Sequence, residues 1–292
     1  MRLLVGTSSG LYLIEKDGKP GLIHKGNFYG VTWNEQKIFA CDRCGGTTIK
    51  FYDHNLKSIG GKKTSINHVH QAYYDPATKM VLIASTGNDR LAAYDPEKNE
   101  VVAWHNWTGS TRDTHHLNSI WRNPGDEFLY VYEQSITGAK ERSQQTAAVR
   151  KLENWKPVRN WHMGTRGHNV VIIEDWIYCV DSFGKDQVSR LLRMHIDDEA
   201  KAQPETLLST PEYKGFGARG LAVTHNRIYI GLTKLKSRME RYHPEHDGYV
   251  VEYDRDFNKI TDYHIGKPCG QVFEVRILDT HDYAHNGILF NG

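Results

Sequence analysis

Four segments of this chain share a pattern with chemical consequences. They begin at His68, His116, His168 and Arg219, and each carries a turn residue seven positions later: Asp75, Asn123, Asp175 and Asn226. Each is a short apolar strand, a tight polar turn and a second apolar strand. Three neutral imidazoles at one repeat position can hold a divalent metal, zinc or iron, with a coordination position left open for water or substrate. An arginine at the fourth such position cannot ligate a cation. It can bind a carboxylate, sulfate or phosphate through two hydrogen bonds, or stabilise negative charge as it develops. His70 and His115 lie next to two of these residues and are alternative ligands.

These side chains meet only if the segments they start are equivalent parts of one architecture. The anchors are spaced 48, 52 and 51 residues apart, which suits a four-stranded propeller blade. A second recurring feature is a strand ending in Tyr-Asp before a turn, at Tyr52-Asp53, Tyr94-Asp95 and Tyr253-Asp254. Five blades follow: 28–60, 66–108, 115–163, 167–211 and 218–265. The sixth is split, with GQVFEVRILD near the C-terminus as its inner strand and RLLVGTSSG, LYLIEKDG and GLIHKG from the N-terminus as the others. Such closure removes an open sheet edge. The expected fold is all-β, a six-bladed β-propeller over residues 1–292 as a single domain. A β-sandwich, or two smaller all-β domains, would also have short strands between turns. The constant offset and the absence of a linker favour the propeller.

In that fold the loop into each inner strand, and the loop between the second and third strands, lie on one face. His68, His116 and His168 would then converge at the mouth of the central channel, with Arg219 beside them. Tyr29 and Gln271 are the corresponding residues of the remaining blades, within one residue of register. The second-to-third-strand loops 41–47, 85–90, 133–145, 180–187 and 232–248 are polar, and two of them are long, as binding loops often are. They add Asp42, Glu133 and Asp181 to the carboxylates above the mouth. The expected catalytic residues are Arg219 and Tyr29, with Arg219, Gln271 and Asp181 binding substrate.

The plan resembles the six-bladed propeller enzymes of the peptidyl-amidating lyase type, in His68, His116, His168, Arg219 and Tyr29. The resemblance implies a metal held by three histidines, aided by an arginine and a tyrosine. It extends to no longer motif. The expected activity is that of a metal-dependent lyase or hydrolase on an anionic small molecule, peptide or carbohydrate. The alternatives are an iron-dependent oxygenase and a non-catalytic propeller that binds a peptide or carbohydrate.

Composition narrows the field. The chain has 292 residues and a net charge of +2 with histidines neutral, so it carries no electrostatic footprint for nucleic acid or a membrane surface. No apolar run approaches 18 residues, and the N-terminal run is broken by Gly6, Thr7, Ser8, Ser9 and Gly10, which points to a cytoplasmic protein. Four cysteines are too few for a disulfide framework. Cys41-x-x-Cys44 is a candidate redox or metal pair without a second CxxC to complete it.

Overall fold

The computed structural model describes residues 1–107, 112–122, 128–133, 148–182, 186–234 and 246–285. They form six four-stranded antiparallel sheets. Blade 1 runs from Phe28–Trp33 to Ser58–Lys63, blade 2 from Val69–Asp75 to Glu100–Asn106, blade 3 from Leu117–Arg122 to Lys156–His162, blade 4 from Gly167–Ile173 to Glu205–Ser209, and blade 5 from Phe216–Val223 to Lys259–His264. Blade 6 joins Val272–Ile277 to Leu3–Thr7, Gly10–Ile14 and Pro20–Lys25. The inner strands touch in a closed cycle, blade 6 meeting blade 1. The architecture is a six-bladed β-propeller whose last blade takes its inner strand from one end of the chain and the rest from the other.

The residue pattern explains the layering. Inner and second strands are apolar on both faces because each blade is packed between two others, as in FYGVTW and IFACD of blade 1. The outermost strands are largely exposed and polar.

One irregularity recurs in every blade. At the start of each inner strand one pair precedes the irregularity at the same spacing: Phe28 with Asp42, Val69 with Ser85, Leu117 with Glu133, Gly167 with Asp181, Gly217 with Thr233 and Val272 with Thr7. From there, four steps along the inner strand answer three on its partner. The next common pairs are Thr32–Phe39, Tyr73–Leu82, Trp121–Tyr130, Val171–Tyr178, Leu221–Ile230 and Arg276–Leu4. Each inner strand therefore carries a one-residue bulge near the mouth. A bulge twists its strand and re-aims the side chains around it.

The other end of the channel is closed. After the inner strand of blade 6 the chain turns beneath the propeller. Asp282 accepts the backbone N–H of Val223 and Ala284, and Tyr283 N–H donates to the Val223 carbonyl. Trp121 Nε1–H donates to the Tyr283 carbonyl. His285 stacks on Trp33 with ring centres 3.7 Å apart, and its Nε2 accepts from Trp33 N–H and Thr32 Oγ1–H. Residues 278–285 thus bridge blades 1, 3, 5 and 6 and plug the bottom.

Candidate functional site at the channel mouth

The bulges set the register of the site, and that register corrects the alignment read from the sequence. Counting from the inner-strand residue of each of those six pairs, His68 and His116 lie one position before it. His168 lies one position after it, and Arg219 two after. The constant seven-residue offset arose because the hairpins differ in length. Blade 4 turns tightly, Ile173 pairing with Trp176, whereas blade 2 closes at Asp75 with Met80. Asp75 is still in its strand where Asp175 is already in the turn. The residue equivalent to His168 in blade 2 is His70.

The side chains follow this register. The His70 ring lies 6.0 Å from that of His168, nearly parallel, and 4.9 Å from that of His116, edge to face. Blades 2 and 4 are not neighbours, so His70 and His168 can meet only across the channel. His68 is exposed on the rim, with Arg43 and Asp113 as its charged neighbours. The cluster is therefore His70, His116 and His168, and His68 is outside it. His115 points elsewhere, its Nδ1 3.2 Å from Glu133.

His116 enters the cluster from the rim, on a left-handed backbone of φ 57°. The buried carboxylate of Asp89 holds that conformation, accepting the N–H groups of Thr114, His115 and His116. His116 Nδ1 is 2.9 Å from Asp113, which fixes the ring and leaves Nε2 as its other functional nitrogen. His70 is half-buried, and its pKa lies well below the usual imidazole value. Burial is the main cause, followed by His116, Arg219, His168 and Arg43. It is a neutral imidazole at neutral pH.

Two guanidiniums flank the histidines. Arg43 lies 4.1 Å above the Tyr29 ring, and Arg219 lies 5.6 Å from the Phe273 ring. Tyr29 and Phe273 stack on each other at 3.7 Å, and Tyr29 is 5.4 Å from His70. Tyr29 thus forms an aromatic platform beneath Arg43. Arg43 had no role in the sequence-based expectation. Its signal is its place in the second-to-third-strand loop CDRCGG, next to Asp42.

The expected carboxylates have structural duties. Asp42 accepts the N–H groups of Asn27 and Cys44, and Asp181 those of Thr165 and Arg166, so both brace loops at the rim. Glu133 is buried against Arg150, Trp107 and His115. Gln271 is buried at the position in blade 6 equivalent to His116, and its N–H donates to Ser8 Oγ. The cysteines are all free. Burial pushes the Cys41 thiol up to about 12, and Cys44 is raised as well, so neither is an activated thiolate. The loop segments 134–147 and 235–245 lie outside the described residues, as do Asn123 and 183–185.

The donor set suits a metal in type, since neutral imidazoles ligate zinc and iron. In the arrangement described, no three His, Cys, Asp or Glu side chains among the described residues are placed to hold one ion. What the arrangement presents is three imidazoles between two guanidiniums, a constellation for anion binding and proton transfer.

No protein-family model matches this chain, and no curated protein matches it. Solved structures do. One is a chain of a nidogen/laminin complex, 10% identical with a TM-score of 0.64, over 94% of this chain and 97% of that one. Another is the periplasmic gluconolactonase of Pseudomonas aeruginosa, 11% identical with a TM-score of 0.53, over 93% and 98%. A third is regucalcin of Agrobacterium tumefaciens, described as a calcium-binding protein, 15% identical with a TM-score of 0.55, over 82% and 75%. At such identities the likeness is one of fold, and that fold serves both an enzyme and a member of a protein complex.

Proposed function

We propose that this protein is an enzyme of the hydrolase or lyase type that acts on a small anionic substrate at the channel mouth. The observation that carries the reading is the meeting of His70, His116 and His168, from three consecutive blades, between Arg43 and Arg219. Arg219 and Arg43 hold the carboxylate or phosphate of the substrate and lower the cost of negative charge as it develops. His116, oriented by Asp113, takes up a proton, from water in a hydrolysis or from carbon in an elimination. His70, kept neutral, donates a hydrogen bond from its ring N–H to the oxygen on which charge accumulates. No step is assigned to a metal, because the described side chains do not close around one. The gluconolactonase neighbour is consistent with a hydrolase on this scaffold.

The test is turnover of a panel of carboxylate-bearing esters, lactones and hydroxy acids, together with sulfate binding followed on the imidazole NMR signals. His116→Gln should retain sulfate binding and lose at least ~100-fold in turnover, the usual scale of a general base. Arg219→Gln should weaken sulfate binding. A wild-type protein that binds sulfate but turns over nothing would make the mouth a binding site alone.

A further inference from the structure

One step below the histidines in register, two positions after the inner-strand residue of each of the six pairs named above, come Gly30, Gln71, Ser119, Asn169, Arg219 and Glu274. Three of them are struts. Gln71 Oε1 accepts the N–H of Ile120, Ser119 Oγ that of Val170 and Asn169 Oδ1 that of Gly220, each in the next blade. At Gly30 blade 2 comes so close that an added Cβ would lie 2.4 Å from Ala72 N. Arg219 and Glu274 are the two charged members of the ring.

Glu274 is completely buried. Its Oε1 accepts from Asn169 Nδ2 at 3.0 Å and lies 3.0 Å from Arg276. Asn169 belongs to blade 4 and Glu274 to blade 6, so this bond crosses the channel. Oε2 meets no hydrogen-bonding group among the described residues. Among the described residues the cation paired with Glu274 is Arg276, and it is shared. Asp282, in the plug, is also fully buried and feels the same Arg276, whose guanidinium donates to the carbonyls of Val31, Leu221 and Val275. Two sealed carboxyls on one guanidinium leave one uncompensated negative charge if both ionise, a costly state in a low-dielectric interior. The groups facing Glu274 are Arg276 on its own strand, Asp282 from the plug, neutral Asn169 from blade 4 and the Cys41 thiol of blade 1. Arg219 stands at the same level in blade 5 and reaches over Phe273, the residue before Glu274.

We propose that Glu274 holds a proton at neutral pH and that this proton gates the anion site above it: the site accepts an anion while Glu274 is neutral and rejects it once Glu274 is a carboxylate. The inference rests on the anion-binding reading of the mouth. Glu274 is a positioning residue in this scheme, because it acts through the field at Arg219 and not by contact with the ligand. The raised pKa of Glu274, up to about 8 through burial with Arg276 opposing, agrees with the geometry.

Sulfate is the probe, since it does not titrate in this range. In the wild-type protein its affinity should fall about tenfold per pH unit above pH ~8, as expected when binding requires one protonated group. In Glu274→Gln, which keeps the size and the acceptor for Asn169, the affinity should stay within about threefold over the same range. In parallel, the infrared band of a protonated carboxyl should be present in the wild type at pH 7, vanish as pH rises through 8, and be missing from Glu274→Gln. An identical pH profile in both proteins, or no such band at pH 7, overturns the inference while leaving the anion site intact. Absence of sulfate binding at every pH would instead overturn the anion-binding reading, and the gate with it.

Discussion

At the scale of single residues, protonation states decide what this site can do. His70 and His285 are held neutral by burial, and Glu274 is held protonated. The two kinds of group pull stability in opposite directions. A histidine whose folded pKa is depressed costs stability as pH falls below about 6.5, because the unfolded chain takes up protons the fold refuses. A carboxyl raised from 4.5 to about 8 stabilises the fold below 4.5, and that contribution is lost as pH climbs to 8. Stability should therefore peak near pH 6.5 and decline towards 8 by up to ~1.4 kcal/mol per pH unit, the value of one proton. Denaturant melts at a series of pH values should show the alkaline decline in the wild type and not in Glu274→Gln. A decline of equal slope in the variant would place the responsible group elsewhere. The chemical residues were only partly legible in the sequence. His116, His168 and Arg219 were visible as types in a repeat. His70 was an alternative to His68, and only the bulge settles between them, because a bulge shifts side chains by one position without leaving a mark in composition. Glu274 and Arg276 were unreadable as a site, since nothing in GQVFEVRILD distinguishes a charge facing the channel from one facing solvent.

At the scale of elements, the repeat was readable because a blade is a local unit of four strands and three turns, marked in blades 1, 2 and 5 by a Tyr-Asp signal before a turn. The blade boundaries follow from that alone, as does the split sixth blade. What the turns could not convey is register, because hairpins of different length between equivalent strands make equal spacing a false guide. The inner strands also carry a strict packing condition at Gly30. Gly30→Ala would drive a Cβ against Ala72 N at 2.4 Å and Ala72 Cβ at 2.9 Å, both parts of a rigid inner strand. The substitution should cost ~1–3 kcal/mol, the usual range for overpacking, measurable by chemical denaturation. A neutral outcome would mean that blades 1 and 2 can separate more easily than their contact implies.

At the scale of the whole molecule, closure depends on both ends of the chain. Deleting residues 1–14 removes two strands of blade 6 and strips the inner strand Val272–Ile277 of its partner. The ring would then end on an open edge, and cooperative melting should be lost. A truncated protein with a sharp transition would show that five blades suffice. Removal of the plug from residue 279 onward should be milder. It deletes three hydrogen bonds, from Trp121 Nε1–H to the Tyr283 carbonyl, from Val223 N–H to Asp282 and from Tyr283 N–H to the Val223 carbonyl, and the stacking of His285 on Trp33. At about 1 kcal/mol per buried hydrogen bond the loss is ~3 kcal/mol, or roughly 5–10 °C in Tm, with the propeller retained.

The plug also constrains the kinetics of anything the mouth binds. A channel with one end closed is a cul-de-sac, so arrival and departure share one doorway and cannot overlap. On the proposed reading, product has to leave before the next molecule enters, and it leaves past the same guanidiniums that drew the substrate in. An anionic product should accordingly compete with substrate for the free enzyme, raising KM and leaving kcat unchanged. Opening the far end by removing residues 279 onward should not create a second exit of any use, because Arg276, Asn169 and Glu274 still bar the passage above it.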